Sequence, residues 1–406
     1  MNYWLRKDCR LCLSPHLELV LELKDTPLAN EFVSPEAVNV VQQTYPLYLC
    51  QCQACGHVQL PVVVDPSMLF VNYVYVSGTS PSFVEHFRRY AKSIIAQHKL
   101  KRGDLVVEVG SNDGTLLRFF KEAGMRVLGV DPAQKIAAAA SLAGIETRCD
   151  FFDRRVAAEI KSELGEATLV LANNVFAHAD DLHEIALGIR DLVDEKRGAF
   201  VFEVQYLIDL VENTLFDMIY HEHLSYHSLK PLVSFFNELG MSVVDVERVP
   251  THGGSVRVTA SPIRNVSPSV RVNDLLALEH IVLQSNAFSA MEIKIDQARQ
   301  SLAAALNKEN GRIVGYGAPA KMTTLMFHFG LNKDKIDCVI DDSPWKQGLL
   351  TPGLHLPVRS PALLDIPSNK PDCIVIFAWN FAAQIAAKFP SYKGKFIAPL
   401  PTFTRL

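Results

Sequence analysis

From residue 105 onward the chain alternates short apolar, β-branched runs with stretches whose apolar positions recur every three to four residues. The runs at 105–111, 125–131, 167–174 and 198–204 are apolar on both faces, as strands buried in a parallel sheet are. Two further extended runs, Ser242–Val249 and Val256–Ser261, suit an antiparallel pair at the sheet's end. Ahead of this region Phe83, Val84, Phe87, Tyr90, Ala91, Ile94 and Ile95 recur at helical spacing, so a helix should lay that face on the sheet domain. Ser82 with Glu85 three positions on reads as its capping box. Beyond it, 273–309 carries one long helical pattern that should bridge two domains. The alternation then restarts. Gly311-Arg-Ile-Val-Gly315-Tyr316-Gly317-Ala-Pro319-Ala-Lys321 reads as strand, glycine turn and helix, and later strands end at Asp341-Asp342 and Trp379-Asn380. The pattern predicts α/β units with doubly wound sheets, whose ligands lie beyond the carboxyl ends of the strands.

Composition narrows the class. With 406 residues the chain should hold two or three domains, at roughly 100–200 residues each. Hydrophobic residues at 49% and charged residues at 21% fit an ordinary globular protein. A net charge of −4 argues against a nucleic-acid partner, whose footprint is usually strongly basic. The first ten residues hold no apolar signal core, and no apolar run reaches the ~20 residues that span a bilayer. The expectation is a cytoplasmic chain, in which eight cysteines serve as thiols or metal ligands rather than disulfides.

Four of those cysteines form two matched knuckles, Cys9-Arg-Leu-Cys12 and Cys52-Gln-Ala-Cys55. The two-residue gap lets both thiolates of a knuckle reach one ion at ~2.3 Å, and two knuckles close a tetrahedral shell. Gly56 supplies the left-handed turn after the second pair. Cys50 with Cys52 is an alternative grip, though Cys52 and Cys55 have the better spacing. A closed four-thiolate zinc site folds a small N-terminal domain and leaves no position for chemistry. Cys149, Cys338 and Cys373 read as buried small hydrophobes.

Candidate ligand contacts cluster at strand ends. Val106-Val-Glu-Val-Gly110-Ser-Asn112-Asp113-Gly114-Thr is a strand running into a glycine turn and a helix, and Asp131 ends the next strand, where an acid can take ribose hydroxyls. The turn suits S-adenosylmethionine (SAM), with NAD as the competing nucleoside cofactor and Asn112 where a glycine is usual. Asp150 and Phe151 could meet an adenine ring, and Asn173 with Asn174 offer amides nearby. The densest chemistry is Tyr220-His221-Glu222-His223-Leu-Ser-Tyr226-His227, far richer in proton-transfer groups than a solvated loop needs. In an extended backbone His221 and His223 would share one face, and Tyr220 and Glu222 the other. A His-x-His metal grip and a buried structural network are the rival readings. Thr251-His252-Gly-Gly-Ser-Val-Arg257 offers a glycine turn with two groups suited to anions or sugar hydroxyls. Lys321 sets a charge at a helix start that already favours phosphate, from a substrate nucleotide or from NAD.

Taken in order, the knuckles, Ser77-Gly-Thr-Ser80, Glu108-Val-Gly-Ser-Asn-Asp-Gly-Thr-Leu116, Asn174-Val-Phe-Ala-His178, the Tyr220–Tyr226 run, His252-Gly-Gly-Ser255 and Gly315–Lys321 closely resemble the sugar C-methyltransferases of deoxysugar biosynthesis. The resemblance covers essentially the whole chain, and Asn112 is normal in that family. It implies a zinc-binding N-terminal domain (1–75), a class I SAM methyltransferase middle domain (76–265) and a C-terminal nucleotide-sugar-binding α/β domain (266–406). It implies a nucleotide-linked 4-keto-6-deoxy sugar as substrate, methylated at a carbon beside the ketone. His223 would be the base, with Tyr220, Glu222 and Tyr75 around the enolate, and Tyr73, His178, His221, Tyr226, His252, Arg257, Tyr316 and Lys321 toward the sugar nucleotide. A monomer or weak oligomer with no nucleic-acid or membrane partner completes the expectation. Outside that class stand a nucleotide-sugar oxidoreductase using NAD at Gly315–Lys321, a zinc-ribbon methyltransferase of RNA or protein, and a catalytically silent binding subunit.

Overall fold

The computed structural model describes residues 2–71, 76–79, 81–263, 266–366 and 370–406. Tyr73, Tyr75 and Ser80 lie outside the described residues.

The middle of the chain forms a seven-stranded sheet in the order Ser242–Val249, Ser255–Ser261, Ala199–Gln205, Leu169–Asn173, Leu105–Val109, Arg126–Val130, Thr147–Arg148. The last five run parallel, and Ser255–Ser261 is antiparallel to both its neighbours. Every predicted strand is present within a few residues; the two-residue strand at 147–148 carries no apolar run and was not foreseen. Strand order reverses beside Leu105–Val109, which opens a crevice after Val109 and Asn173. Both faces are covered. On one, Phe87, Tyr90, Ala91 and Ile94 of helix Pro81–Gln97 pack with Phe119 and Phe120. On the other, Phe176 meets Phe200, Phe202, Phe235 and Phe236 with ring centroids 4.9–6.3 Å apart. Helix Pro81–Gln97 begins one residue before Ser82, so Ser82 and Glu85 lie inside it, and Glu85 pairs with Arg89 rather than closing a capping box.

The C-terminal unit is a six-stranded sheet in the order Val358–Arg359, Val339–Ile340, Ile313–Tyr316, Cys373–Ile376, Lys395–Ala398, Thr404–Arg405, parallel except for the last strand. It is doubly wound like the first, with its own reversal beside Ile313–Tyr316. The long helical pattern resolves into two helices, Val270–Val282 and Ala287–Leu306. The break at 283–286 lets Val272 and Leu275 face the methyltransferase core while Phe288, Met291 and Ile295 face the C-terminal one. A single straight helix could not present both faces.

The N-terminal unit pairs Leu17–Thr26, Tyr45–Cys52 and Val58–Gln59 with a fourth strand, Ser225–Tyr226, that comes from the histidine-rich run. One continuous apolar core then joins Leu21, Leu47 and Val62 to Phe216, Leu224, Met322 and Leu325. Cys338 and Cys373 are buried as expected, but Cys149 is exposed at the end of its short edge strand. Among the described residues no helix is long and apolar enough to cross a membrane.

The aromatic cluster holds the loop after Asn174, so Phe176→Ala should cost about 3–5 kcal/mol, read as a lower urea midpoint. A cost below about 1 kcal/mol would contradict its packing role.

Candidate active site

The four knuckle sulfurs lie within 4.8 Å of one another, Cys9 Sγ 3.6 Å from Cys55 Sγ and Cys12 Sγ 3.5 Å from Cys52 Sγ. Bonds of ~2.3 Å to one tetrahedral zinc put sulfurs about 3.8 Å apart, so this shell fits the ion and has no open position. It is a structural zinc site. Gly56 takes φ +86°, the left-handed turn after the knuckle, and Cys50 is buried in strand Tyr45–Cys52, outside the cluster.

A cavity of about 1800 Å³ opens between the carboxyl ends of the two α/β sheets. A single-ligand pocket usually holds roughly 300–1,000 Å³, so this one has room for two ligands side by side.

The methyltransferase side is built by the glycine turn. A Cβ on Gly110 would stand 2.3 Å from Val175 Cγ2, and Gly114 would meet Ile145 at 2.8 Å, both at positive φ. Asn112 also sits at φ +51°, a conformation that asparagine tolerates better than most residues. Its side-chain oxygen accepts the Ser77 N–H at 2.9 Å while its own N–H donates to Asp131 Oδ2 at 2.8 Å. That explains an asparagine where a glycine is usual. Asp131 Oδ1 accepts the Ala133 N–H at 2.9 Å, burial pushes the carboxyl's pKa up, and the residue lines the cavity. Asp113 and Gly114 do not line it. Asp113 accepts the Gly78 N–H at 3.0 Å and so holds the Ser77–Thr79 turn over the glycine loop. Asp150, Phe151, Asn173 and Asn174 all line the cavity. Phe151 is 42% exposed, and Asp150 is held 2.7 Å from Arg155. Gln205, at the end of the neighbouring strand, also lines it, and neither atom of its amide has a hydrogen-bond partner among the described residues.

The histidine-rich run is not extended. His223 N–H donates to the Tyr220 carbonyl at 2.8 Å, closing a turn that sends alternate side chains to opposite places from those an extended backbone predicts. Tyr220 and His223 come together on the cavity, ring centroids 4.0 Å apart. His221 turns into the N-terminal unit, its Nε2 3.1 Å from the Pro46 carbonyl and its ring against Tyr45. Glu222 accepts from Asn30 Nδ2 at 2.7 Å, and Asn30 rather than Glu222 lines the cavity. Tyr226 is buried in the four-stranded sheet, away from the lining. His221 and Tyr226 are therefore set apart from any ligand in this cavity.

His223 Nδ1 lies 2.7 Å from the Met218 carbonyl. A carbonyl only accepts, so Nδ1 carries the proton and the Nε2 lone pair is left for the cavity. Burial pushes the imidazole down to about 4, against the Met218 carbonyl, which raises it. It is neutral at pH 7. His178 stacks on it at 5.1 Å, and His252, at φ +54°, stands against Phe83 at 5.2 Å.

Arg257 does not offer a free charge. Glu203 gathers Arg257 Nη2 at 2.9 Å, Thr251 Oγ1 at 2.8 Å and His86 Nε2 at 3.0 Å. Burial alone would push Glu203 up; His86 and Arg257 hold it down at about 2. Arg257 also lies over the Tyr90 ring at 3.9 Å, so its guanidinium is spent on the wall of the cavity. Tyr90 belongs to the helix face that the sequence assigns to packing, whereas His86, one position before Phe87, carried no reading there.

On the C-terminal side Tyr316 and Lys321 both line the cavity. Tyr316 donates to Asp342 Oδ1 at 3.0 Å. Lys321 Nζ lies 3.4 Å over the Trp379 ring and 3.0 Å from Asn380 Oδ1, and burial lowers its pKa to about 8 while Asp217 opposes the shift. Asp341 accepts the Ala318 and Ser343 N–H groups at 2.6 and 2.8 Å, the same grip on a glycine turn that Asp131 makes in the first sheet. Asn30, Trp345 and Lys346 line the cavity from segments with no motif spacing, which is why the sequence did not mark them, whereas Asn380 stands at the strand end that the pattern predicts.

A doubly wound sheet with a glycine turn, a buried acid ending the next strand and a neutral histidine across a shared cavity makes a nucleoside-cofactor site with a base at hand. Residues 9–70 match the zinc binding domain family, 83–246 the methyltransferase domain family and 250–401 the C-methyltransferase C-terminal domain family. The chain is 34% identical over 405 residues to the C-methyltransferase NovU of Streptomyces niveus, an alignment spanning 97% of this chain and 95% of that protein. Among solved structures it overlaps magnesium protoporphyrin IX methyltransferase (ChlM) of Synechocystis PCC 6803, over 44% of this chain and 84% of that one, at TM-score 0.34 and 17% identity. A SAM-dependent methyltransferase of Anabaena variabilis overlaps 43% of this chain and 84% of its own, at TM-score 0.34 and 16% identity. The chain belongs to the C-methyltransferase family, with SAM as its methyl donor and a structural zinc at its N-terminal cysteines.

Asp131→Asn should weaken SAM binding at least about tenfold, about 1.4 kcal/mol, in calorimetry, with the far-UV circular dichroism unchanged. An unaltered Kd would remove Asp131 from the cofactor site.

Proposed function

We propose that the chain methylates a carbon beside the ketone of a nucleotide-linked 4-keto-6-deoxy sugar, carbon 3 first and carbon 5 as the alternative. The observation that carries this reading is His223: a neutral imidazole, its tautomer set by Met218, with Nε2 on a cavity shared by the SAM-type turn and the C-terminal unit. A ketone acidifies the neighbouring C–H bond. His223 Nε2 takes that proton, and the electron pair of the C–H bond becomes an enolate whose carbon attacks a methyl group. SAM would supply that methyl from a sulfonium, whose S–CH3 bond breaks with its electron pair kept by the departing neutral thioether, so alignment rather than activation is what the chain must provide.

Burial makes the base weak, which keeps it unprotonated at neutral pH. Negative charge growing on the ketone oxygen during abstraction raises the imidazole's affinity for the proton as it is transferred. Tyr220, its ring tilted against His223, is the group that donates to that oxygen. Tyr75 is the second candidate from the family resemblance. Glu222 acts through Asn30, whose amide it orients at the cavity wall. His178 and His252 border the sugar.

The nucleotide end fits the C-terminal turn. Gly317 takes φ +87°, and a Cβ there would stand 2.6 Å from Ala378 Cβ. The N-terminus of helix Lys321–Phe329 and the Lys321 ammonium both favour a diphosphate. The walls of the cavity therefore divide the work: cofactor on the first turn, diphosphate on the second, and the reacting carbon between them at His223.

The test is solvent exchange. With 4-keto-6-deoxy sugars on dTDP, GDP or CDP in deuterated water and no SAM, the wild type should incorporate deuterium at one carbon beside the ketone. His223→Asn should lose at least about 100-fold of that exchange and of methylation, with SAM affinity retained. Wild-type exchange in the variant would overturn the base assignment, and exchange at no carbon with any of these sugars would overturn the substrate class.

A further inference from the structure

Between the two thiolates of the first knuckle stands an arginine with no solvent exposure. Arg10 lies fully buried, one residue after Cys9. Its backbone N–H donates to Gln59 Oε1 at 2.9 Å, and Gln59 in turn donates to the Asp8 carbonyl at 2.8 Å, so the knuckle turn fixes where the side chain leaves the backbone. The guanidinium then reaches out of the N-terminal unit. Nη1 donates to the Leu60 carbonyl at 2.8 Å and to the Leu224 carbonyl at 3.1 Å, and Nε donates to Asp180 Oδ1 at 3.0 Å.

Those targets are not scattered. Leu224 follows His223 directly, and Asp180 lies two residues after His178, the ring stacked on His223. The same two segments are also joined backbone to backbone, with Leu224 and Ser225 N–H both donating to the Ala177 carbonyl at 2.8 and 3.0 Å. On the far side of the knuckle His183 Nε2 sits 2.9 Å from the Leu11 carbonyl. A buried, fully charged fork with fixed donors is well suited to such a junction, because it loses little freedom for each bond it makes.

We propose that Arg10 is a positioning residue that ties the zinc knuckle to the loops bearing His223 and His178, so that metal binding and alignment of the base form one rigid unit. The N-terminal unit thereby does more than fold: it braces the reacting histidine from behind. The Met218 carbonyl and the flanking Tyr220 and His178 rings set the orientation of this base, and a displacement of about 1 Å can cost about 100-fold in rate. Arginine is required because one planar group must serve two carbonyls and a carboxylate at once; a lysine could keep the charge but not the three directions.

This inference rests on the reading of His223 as the base. Its test uses the zinc-loaded full chain with Arg10→Met and Arg10→Lys, and measures zinc per chain, melting temperature, SAM affinity, and kcat and KM of deuterium exchange. Arg10→Met should keep one zinc and wild-type SAM affinity while kcat of exchange falls about 10–100-fold and KM changes less than about threefold. Arg10→Lys should recover part of that loss. Should Arg10→Met lose its zinc, Asp180→Asn decides: it removes the carboxylate charge that Arg10 shares with Arg6 without touching the knuckle, and it should lower kcat in the same sense. Wild-type kcat in Arg10→Met with zinc retained, or in Asp180→Asn if zinc is lost, would overturn the inference. Full exchange in His223→Asn would instead overturn the base reading, whatever Arg10 does.

Discussion

One hydrogen bond, from His223 Nδ1 to the Met218 carbonyl, organises the whole site. It decides which nitrogen carries the proton and which faces the cavity, and it exists only because the backbone turns between Tyr220 and His223. That turn is in turn held from three directions. Phe216–Met218 packs under the C-terminal helix Lys321–Phe329, where Thr324 donates to the Ile219 carbonyl at 2.7 Å. Ser225–Tyr226 is the outer strand of the zinc-bearing sheet. His227 and Phe176 stack in the methyltransferase core. A short loop with no regular structure of its own is made stiff by belonging to every unit at once.

The two α/β units repeat a single device. In each, an acid at the end of the second strand accepts two backbone N–H groups, Asp131 from Asn112 and Ala133, Asp341 from Ala318 and Ser343. Each acid thereby pins a glycine turn at the point where strand order reverses, the place where doubly wound sheets bind ligands. Facing the two turns across one cavity leaves room there for two ligands side by side. The electrostatics follow the same division. Glu203 and Arg257 neutralise each other in the wall, His178, His223 and His252 are kept uncharged by burial, and Lys321 is a buried cation of the C-terminal side that faces Asp217.

Much of this was legible from residue order alone, for physical reasons. Strands buried on both faces must be apolar throughout, so Leu105–Val109 and Cys373–Ile376 announced themselves. Thiolate pairs two residues apart need only a local turn to share an ion, so the zinc shell required no knowledge of the fold. What failed was whatever depends on tertiary packing. The Tyr220–His223 turn, the break after Val282 and the pairing of Arg257 with Glu203 are each set by partners far along the chain. His221 and Glu222 looked as chemical as His223, yet Pro46 and Asn30 claim them. Arg10 carried no reading in the sequence, because its contacts at Asp180 and Leu224 lie 170 and 214 residues away.

The most direct measurement is a crystal structure with S-adenosylhomocysteine and a nucleotide-linked 4-keto-6-deoxy sugar bound together. The account predicts the cofactor's ribose on Asp131, the sugar's diphosphate near Lys321, and the carbon beside the ketone within about 3.5 Å of His223 Nε2 while facing the sulfur. A sugar ring lodged away from His223, or a cofactor bound at the Gly315–Lys321 turn instead, would contradict it.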